Sequence, residues 1–239
     1  MPPRITEPPA TDFMLHFTWG LGFDSHDPTR WDRERQCLQG VLHRWTAPER
    51  HYHSLHYHLV PLIAAMGKED TTPWEGRVAV IAAFYHDAVM ERGLSDSDNV
   101  EASALLWDKD YRFMAGDGEP PSSMFGDAVH EAILATDYSQ PPPKNNLMLR
   151  NFDLLGLSSP WDTYKANGEL IKREYTRPDE PQTKFLHGRM EWLIKMLTSG
   201  PIYLTKNDIW ADRETCARRN LGQELAELLS TNSPTITFY

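Results

Sequence analysis

An all-α fold is what this sequence predicts, on three observations. Apolar residues recur at i, i+3 and i+4 through most of the chain, the period of one helix face. Helix-start signals, a Ser, Thr or Asp followed by Pro or an acidic residue, punctuate these stretches. Alternating apolar and polar runs, the mark of a half-buried strand, are nearly absent. The 239 residues are 40% hydrophobic and 24% charged, enough for one sizeable core. We therefore expect a single-domain helical bundle over residues 27–230, between a Pro-rich arm at 1–26 and an extended tail at 231–239.

Each element has its own signal. Residues 1–12 hold too many prolines for regular structure, and Trp19, Gly20, Leu21, Gly22 and Phe23 form a stretch too glycine-rich for a helix but aromatic enough to pack. Asp27, Pro28 and Thr29 read as a helix start, and Trp31, Leu38, Val41, Leu42 and Trp45 follow at helical spacing. Pro48 separates this helix from a histidine-rich one, whose apolar side is Tyr52, Leu55, Leu59, Leu62, Ile63 and Met66 and which Gly67 ends. Thr71, Thr72, Pro73 and Glu75 make a helix N-terminus with a threonine cap and Pro in the first turn. That helix runs through the apolar stretch 78–83 to Phe84, Tyr85, His86 and Asp87. Ser95, Asp96, Ser97 and Asp98 start the next, through Glu101, Ala104, Leu105 and Tyr111. After a loop at 117–121, Phe125, Val129, Ile133 and Leu134 mark a helix closed by Pro141, Pro142 and Pro143. Residues 147–157 make a short helix or turn carrying Asp153. Helices at about 160–177, 182–199 and 205–230 complete the chain, with spacings such as Trp192, Met196 and Leu197.

Charge and cysteine usage restrict the partners. A formal net charge of −10 disfavours nucleic-acid polymers and anionic membranes, which reward a basic surface. It leaves room for a small anionic substrate, because a bound metal inverts the local field. Cys37 and Cys216 lack CxxC spacing and read as reduced thiols. No apolar leader opens the chain, and no stretch reaches the roughly 20 apolar residues that span a bilayer. The expected compartment is the cytoplasm or nucleus.

The chemistry concentrates in two places. Four of the ten histidines, His51, His53, His56 and His58, fall within eight positions behind Arg50. His86 and Asp87 emerge side by side from the apolar run, where two ionisable groups are costly unless paired or bound to a metal. We expect the two segments to be packed helices whose imidazoles and carboxylate converge on a metal ion. At 100° per residue His53 and His56 lie about 60° apart, His56 borders the apolar side, and His51 and His58 share another flank. One or two of them can reach a neighbouring helix end, but all four cannot. The bland alternatives are a solvated polar helix, a capping Asp87 with His86 bonded to a carbonyl, and an Asp153 that caps a helix.

The order His, His-Asp, Asp on an all-α chain resembles the HD superfamily of metal-dependent phosphohydrolases, and within it the predicted metal-dependent HD phosphohydrolases of unknown substrate. The likeness rests on residues 50–55, 84–89, 98–104 and 133–136, then Asp153-Leu154, 173–175, Gly188-Arg189 and 217–221, in order over about residues 30–225. It implies an HD-type bundle holding one divalent ion (Mn, Fe, Co, Ni, Zn or Mg) through His53, His86, Asp87 and Asp153, with His56 and His58 left open as alternatives to His53. It implies hydrolysis of a phosphate mono- or diester, a nucleotide among the candidates, by water activated on the metal. Glu101 would position or deprotonate that water, and His56 or His58 would protonate the leaving oxygen. Arg50 and Arg173 match family positions and would hold phosphate oxygens, against a structural ion pair as the alternative.

The chain departs from the family pattern at four points. Tyr57 stands where a second histidine is expected, with His56 and His58 on either side, and Val100 replaces the glutamate of an Asn-Glu pair although Glu101 remains. Ser139 stands near an expected histidine, and Asn151 replaces an aspartate. These departures favour a single-metal site. They also motivate one rival, an HD fold that has lost catalysis and serves as a binding or scaffold protein; the other rival, an HD-type diiron oxygenase, needs more histidine and carboxylate ligands than the matched positions supply.

Overall fold

The computed structural model describes residues 16–17, 28–68, 72–116, 123–142, 144, 147–177, 179 and 181–232. The expected Pro-rich arm at 1–12, the stretch 19–23, the loop 117–121 and the tail beyond 232 lie outside them. The chain is all-α, and no strand occurs among the described residues. Contacts group it into two compact units, residues 1–153 and 154–239.

The first unit is built around a helix that is apolar on every side. Helix α1 spans Pro28–Trp45. A π-helical turn, Leu55–Leu59, leads into α2, Val60–Met66. Helix α3, Pro73–Tyr85, starts with the capping box its sequence announces: Thr72 Oγ1 accepts from the Glu75 backbone N–H, and the Glu75 side chain accepts from the Thr72 N–H. Helices α4, Asp96–Ala115, α5, Ser123–Leu134, and α6, Leu147–Asp153, complete the unit. Helix α3 packs against α1, α2, α4, α5 and α6, which is why residues 78–85 could be almost entirely apolar and are all buried. Aromatic rings fill the space around it. Phe17 meets Phe84 edge to face, Trp107 lies between Tyr85 and Tyr111, and Gly126 lets α5 approach so closely that a Cβ there would stand 2.7 Å from the Tyr111 ring.

The histidine-rich segment departs from expectation. Residues 51–54 form bends, not helix, and Ser54 is extended at φ −116°, ψ 165°. The Ser54 carbonyl then accepts from both His58 N (3.0 Å) and Leu59 N (3.2 Å), the wider turn of a π-helix, which holds one residue more than an α-helical turn. Helix α5 ends at Leu134, well before the prolines expected to close it.

The second unit holds a 3₁₀ turn, Leu154–Ser158, and helices α7, Trp161–Tyr175, α8, Gln182–Thr198, and α9, Asp208–Asn232. Helix α9 carries two residues of the expected tail. It packs on α8 and on the 3₁₀ turn, where Asn220 donates to the carbonyls of Leu157 and Ser159, both at 2.8 Å. Arg189 forks onto Glu224 at 2.9 and 3.0 Å and lies 4.6 Å over the Trp192 ring. Among the described residues, no helix is long and apolar enough to cross a membrane.

Candidate metal centre

Four side chains of the first unit meet at the C-terminal end of α3. His86 is the residue that ends the helix, and its backbone N–H still donates to Ala82 O at 2.8 Å. Its ring Nδ1 lies 2.9 Å from Ala83 O. A carbonyl only accepts, so Nδ1 carries a proton and Nε2 is the nitrogen left to take a second proton or a metal. Around that Nε2 stand His58 Nε2 at 3.2 Å, Asp87 Oδ2 at 3.2 Å and Asp153 Oδ1 at 3.4 Å. His58 Nε2 is 2.9 Å from Asp153 Oδ1 and 4.0 Å from Asp87 Oδ2. His86 is wholly buried and His58 is 5% exposed, whereas the aspartates open toward solvent.

Local structure fixes each donor. Trp45 stacks on His58, with centroids 6.1 Å apart and planes at 27°, and is anchored by its indole N–H on Phe84 O at 2.7 Å. Arg50 ties the histidine segment to the residue after Asp87, donating to His53 O at 3.2 Å and Ala88 O at 3.1 Å. The N-terminus of α4 holds the following loop: Ser103 Oγ accepts from Val89 N at 3.0 Å, and Asn99 pairs with the Glu91 backbone at 2.8 and 3.2 Å. Asp153 ends α6 and accepts from the Tyr138 hydroxyl at 2.7 Å.

The electrostatics suit a cation. Bare imidazole nitrogens and carboxylate oxygens at these separations repel one another unless a proton or a metal lies between them. Burial alone would push His86 toward neutrality, but the Asp87 charge and hydrogen bonds to Asp153 and Asp87 outweigh it and hold its pKa at about 10. Burial likewise opposes the Asp87 charge, and the His86 imidazolium overrides it and depresses the carboxyl. Asp153, against the same burial, is depressed by hydrogen bonds from His58 and His86. Protons on both Nε2 atoms would pair the rings with the carboxylates but set two N–H groups face to face at 3.2 Å. A metal ion would suit all four groups: the ligand atoms lie within 4.8 Å of one another, and bonds of about 2.0–2.1 Å to a tetrahedral ion place donors roughly 3.3–3.4 Å apart. The cluster His58, His86, Asp87 and Asp153 could hold a metal ion.

A pH dependence follows. The raised His86 pKa, about 10 against an ordinary 6.5, gives stability that is complete below pH 6.5 and lost as pH rises through 10. The depressed aspartates contribute above their ordinary 3.8 and lose that contribution as the pH falls below it. Metal-free protein should thus gain most from this cluster between about pH 4 and 6.5. A cation must displace the His86 proton, so its added stabilisation should be larger at about pH 8 than at about pH 6. Melting curves with and without Mn or Zn across that range check this, and a metal effect flat with pH would contradict it.

His86, Asp87 and Asp153 meet as the sequence leads one to expect, and of the three histidines left open the fourth member of the cluster is His58, not the first choice His53. The cause is the break at Ser54, which takes His53 out of the helical register and leaves its ring against His58 at a centroid distance of 5.4 Å. His56 is half-buried and outside the cluster. Glu101 is exposed on α4, and no hydrogen bond or ion pair joins it to the cluster. Arg50 is directed at backbone carbonyls as described, and Arg173 is exposed on α7 of the second unit. Tyr138 and Trp45 carried no signal of this role, since a lone aromatic reads as core. The chain matches no family model, no curated protein and no solved structure.

Proposed function

We propose that the chain is a divalent-metal-dependent phosphohydrolase of the HD type, acting on a phosphate mono- or diester of a small molecule such as a nucleotide. The observation that carries this reading is the convergence of His58, His86, Asp87 and Asp153, in the chain order on which the sequence resemblance rests. A divalent ion bound there would polarise a phosphoryl oxygen and lower the pKa of adjacent water. The chain's own residues supply the rest. His86, its Nδ1 fixed on Ala83 O, aims Nε2 at the ion, and Trp45 shields His58 from behind. His53, half-buried beside His58, is the spare imidazole that can return a proton to the leaving oxygen. Arg50 acts by holding the histidine segment against the loop after Asp87, not by gripping phosphate.

A second reading, an HD fold that binds metal without turnover, is favoured by the exposure of Glu101 and the engagement of Arg50 with backbone. One experiment separates the two. Protein purified without chelator is assayed for metal content, then screened with added Mn, Fe, Co, Ni, Zn or Mg against nucleotides, nucleotide diesters and an aryl phosphate. The hydrolase reading expects turnover that chelator lowers at least tenfold. Metal-loaded protein that turns over none of them moves the assignment to the binding fold. Glu101→Gln then tests the water-activating role: a loss of about a hundredfold at unchanged metal content assigns it, and an unchanged rate returns Glu101 to a solvated helix face.

A further inference from the structure

Asp153 faces two ways. Its Oδ1 lies inside the candidate cluster, 2.9 Å from His58 Nε2 and 3.4 Å from His86 Nε2. Its Oδ2 accepts from the Tyr138 hydroxyl at 2.7 Å. Tyr138 is itself held from behind. The Arg150 guanidinium lies 4.6 Å over its ring, and Arg150 Nη1 donates to the carbonyls of Ala135 at 2.6 Å and Asp137 at 3.1 Å. The phenol oxygen is also 3.1 Å from Arg150 O, but it has one proton, and the shorter contact directs that proton to the carboxylate. Arg150 precedes Asp153 by one turn of α6, so carboxylate, phenol and guanidinium form one connected unit.

We propose that Tyr138 is a positioning residue that keeps Asp153 a one-oxygen ligand and thereby sets which cations the site prefers. This rests on the metal-binding reading above. A carboxylate with one oxygen engaged by a hydrogen bond offers the other; released, it can chelate with both. With Asp153 restrained, the protein supplies two imidazole nitrogens, one Asp153 oxygen and the Asp87 carboxylate. That set suits Zn, which is satisfied by four donors and takes imidazole readily. Mn and the larger, harder cations favour oxygen-rich shells, so freeing Oδ2 would move the site toward them.

Tyr138→Phe removes only the hydroxyl and keeps the ring under Arg150, so the metal-free variant should melt close to wild type. Metal-free protein of each kind is dialysed against an equal mixture of Zn and Mn and its metal content measured. The Zn-over-Mn ratio should fall about tenfold or more in Tyr138→Phe. Infrared difference spectra, metal-loaded minus metal-free, should gain a chelating-carboxylate band pair in the variant. Tyr138→4-aminophenylalanine, which restores an N–H donor on the same ring, should return both readouts to wild type. An unchanged ratio and unchanged carboxylate bands in Tyr138→Phe would overturn the proposal while leaving the metal site standing. Wild-type protein that takes up neither cation would remove the metal-binding reading and this inference together, a result visible before any variant is compared.

Discussion

His86→Ala is expected to abolish metal binding and to destabilise even the metal-free protein by about 3–5 kcal/mol. The imidazole is wholly buried, and without metal its positive charge is what lets Asp87 and Asp153 stay ionised side by side. Removing it leaves two carboxylates facing each other across a cavity, and leaves the Ala83 carbonyl without the ring N–H that donates to it. For a chain of this size the loss corresponds to a fall in Tm of roughly 6–20 °C. Wild type should instead gain about 2.7 kcal/mol with cation at a hundred times its Kd, a gain the variant cannot show. Asp153→Asn is the informative partner, because it keeps the shape and an oxygen but deletes one of two like charges. It should lose metal affinity at a much smaller cost to the metal-free fold. The pair of variants therefore separates a ligand that is lost from a core that is broken. If wild type gains nothing in Mn, Fe, Co, Ni or Zn, and His86→Ala melts as it does, no cation site exists at the end of α3.

The helices were legible because their ends are written locally. Thr72 with Glu75 and Ser95 with Asp98 each form the capping box their spacing announces, and the apolar run 78–85 can only be a helix buried on all sides. Several residues in the stretches that carry the family resemblance turn out to hold the fold: Asn220 ties α9 to the 3₁₀ turn, and Arg189 pairs with Glu224 inside the second unit. His86, Asp87 and Asp153 were legible for a different reason, since ionisable groups at an apolar rim need a partner.

The histidine segment was not legible in detail. A projection at 100° per residue carried the helix back through Tyr52 and placed His58 on a flank with His51. The chain in fact leaves helical geometry at Ser54, so His51 and His53 share no register with the residues that follow. From Leu55 onward the buried face is Leu59, Leu62, Ile63 and Met66, and His58 sits one turn before Leu62 on it. Through the same π-turn His58 is carried inward, while Tyr57, where the resemblance would put a histidine, stands 50% exposed. A π-turn is a compromise among tertiary contacts and has no composition of its own, so nothing in residues 51–59 announces it.

His58→Ala should therefore weaken metal binding more than about a hundredfold, while His53→Ala should stay within roughly tenfold, the range expected for a group that supports a ligand without touching the ion. The argument is geometric. His58 Nε2 lies 3.2 Å from His86 Nε2 and 2.9 Å from Asp153 Oδ1, so its removal takes away one of the four donors and opens the face under Trp45. His53 contributes a ring beside His58 and a carbonyl that accepts from Arg50, and alanine keeps that carbonyl. Titrating each metal-free variant with Zn under competition from a chromogenic chelator gives the two affinities directly. His53 should matter instead for turnover in the phosphohydrolase reading, so His53→Ala with near-normal affinity and a lowered rate would place its imidazole at the leaving group. The reverse pattern, affinity lost with His53 and kept without His58, would mean that the segment folds as the continuous helix the sequence suggests and that the bend at Ser54 is not how the protein presents its histidines to a cation.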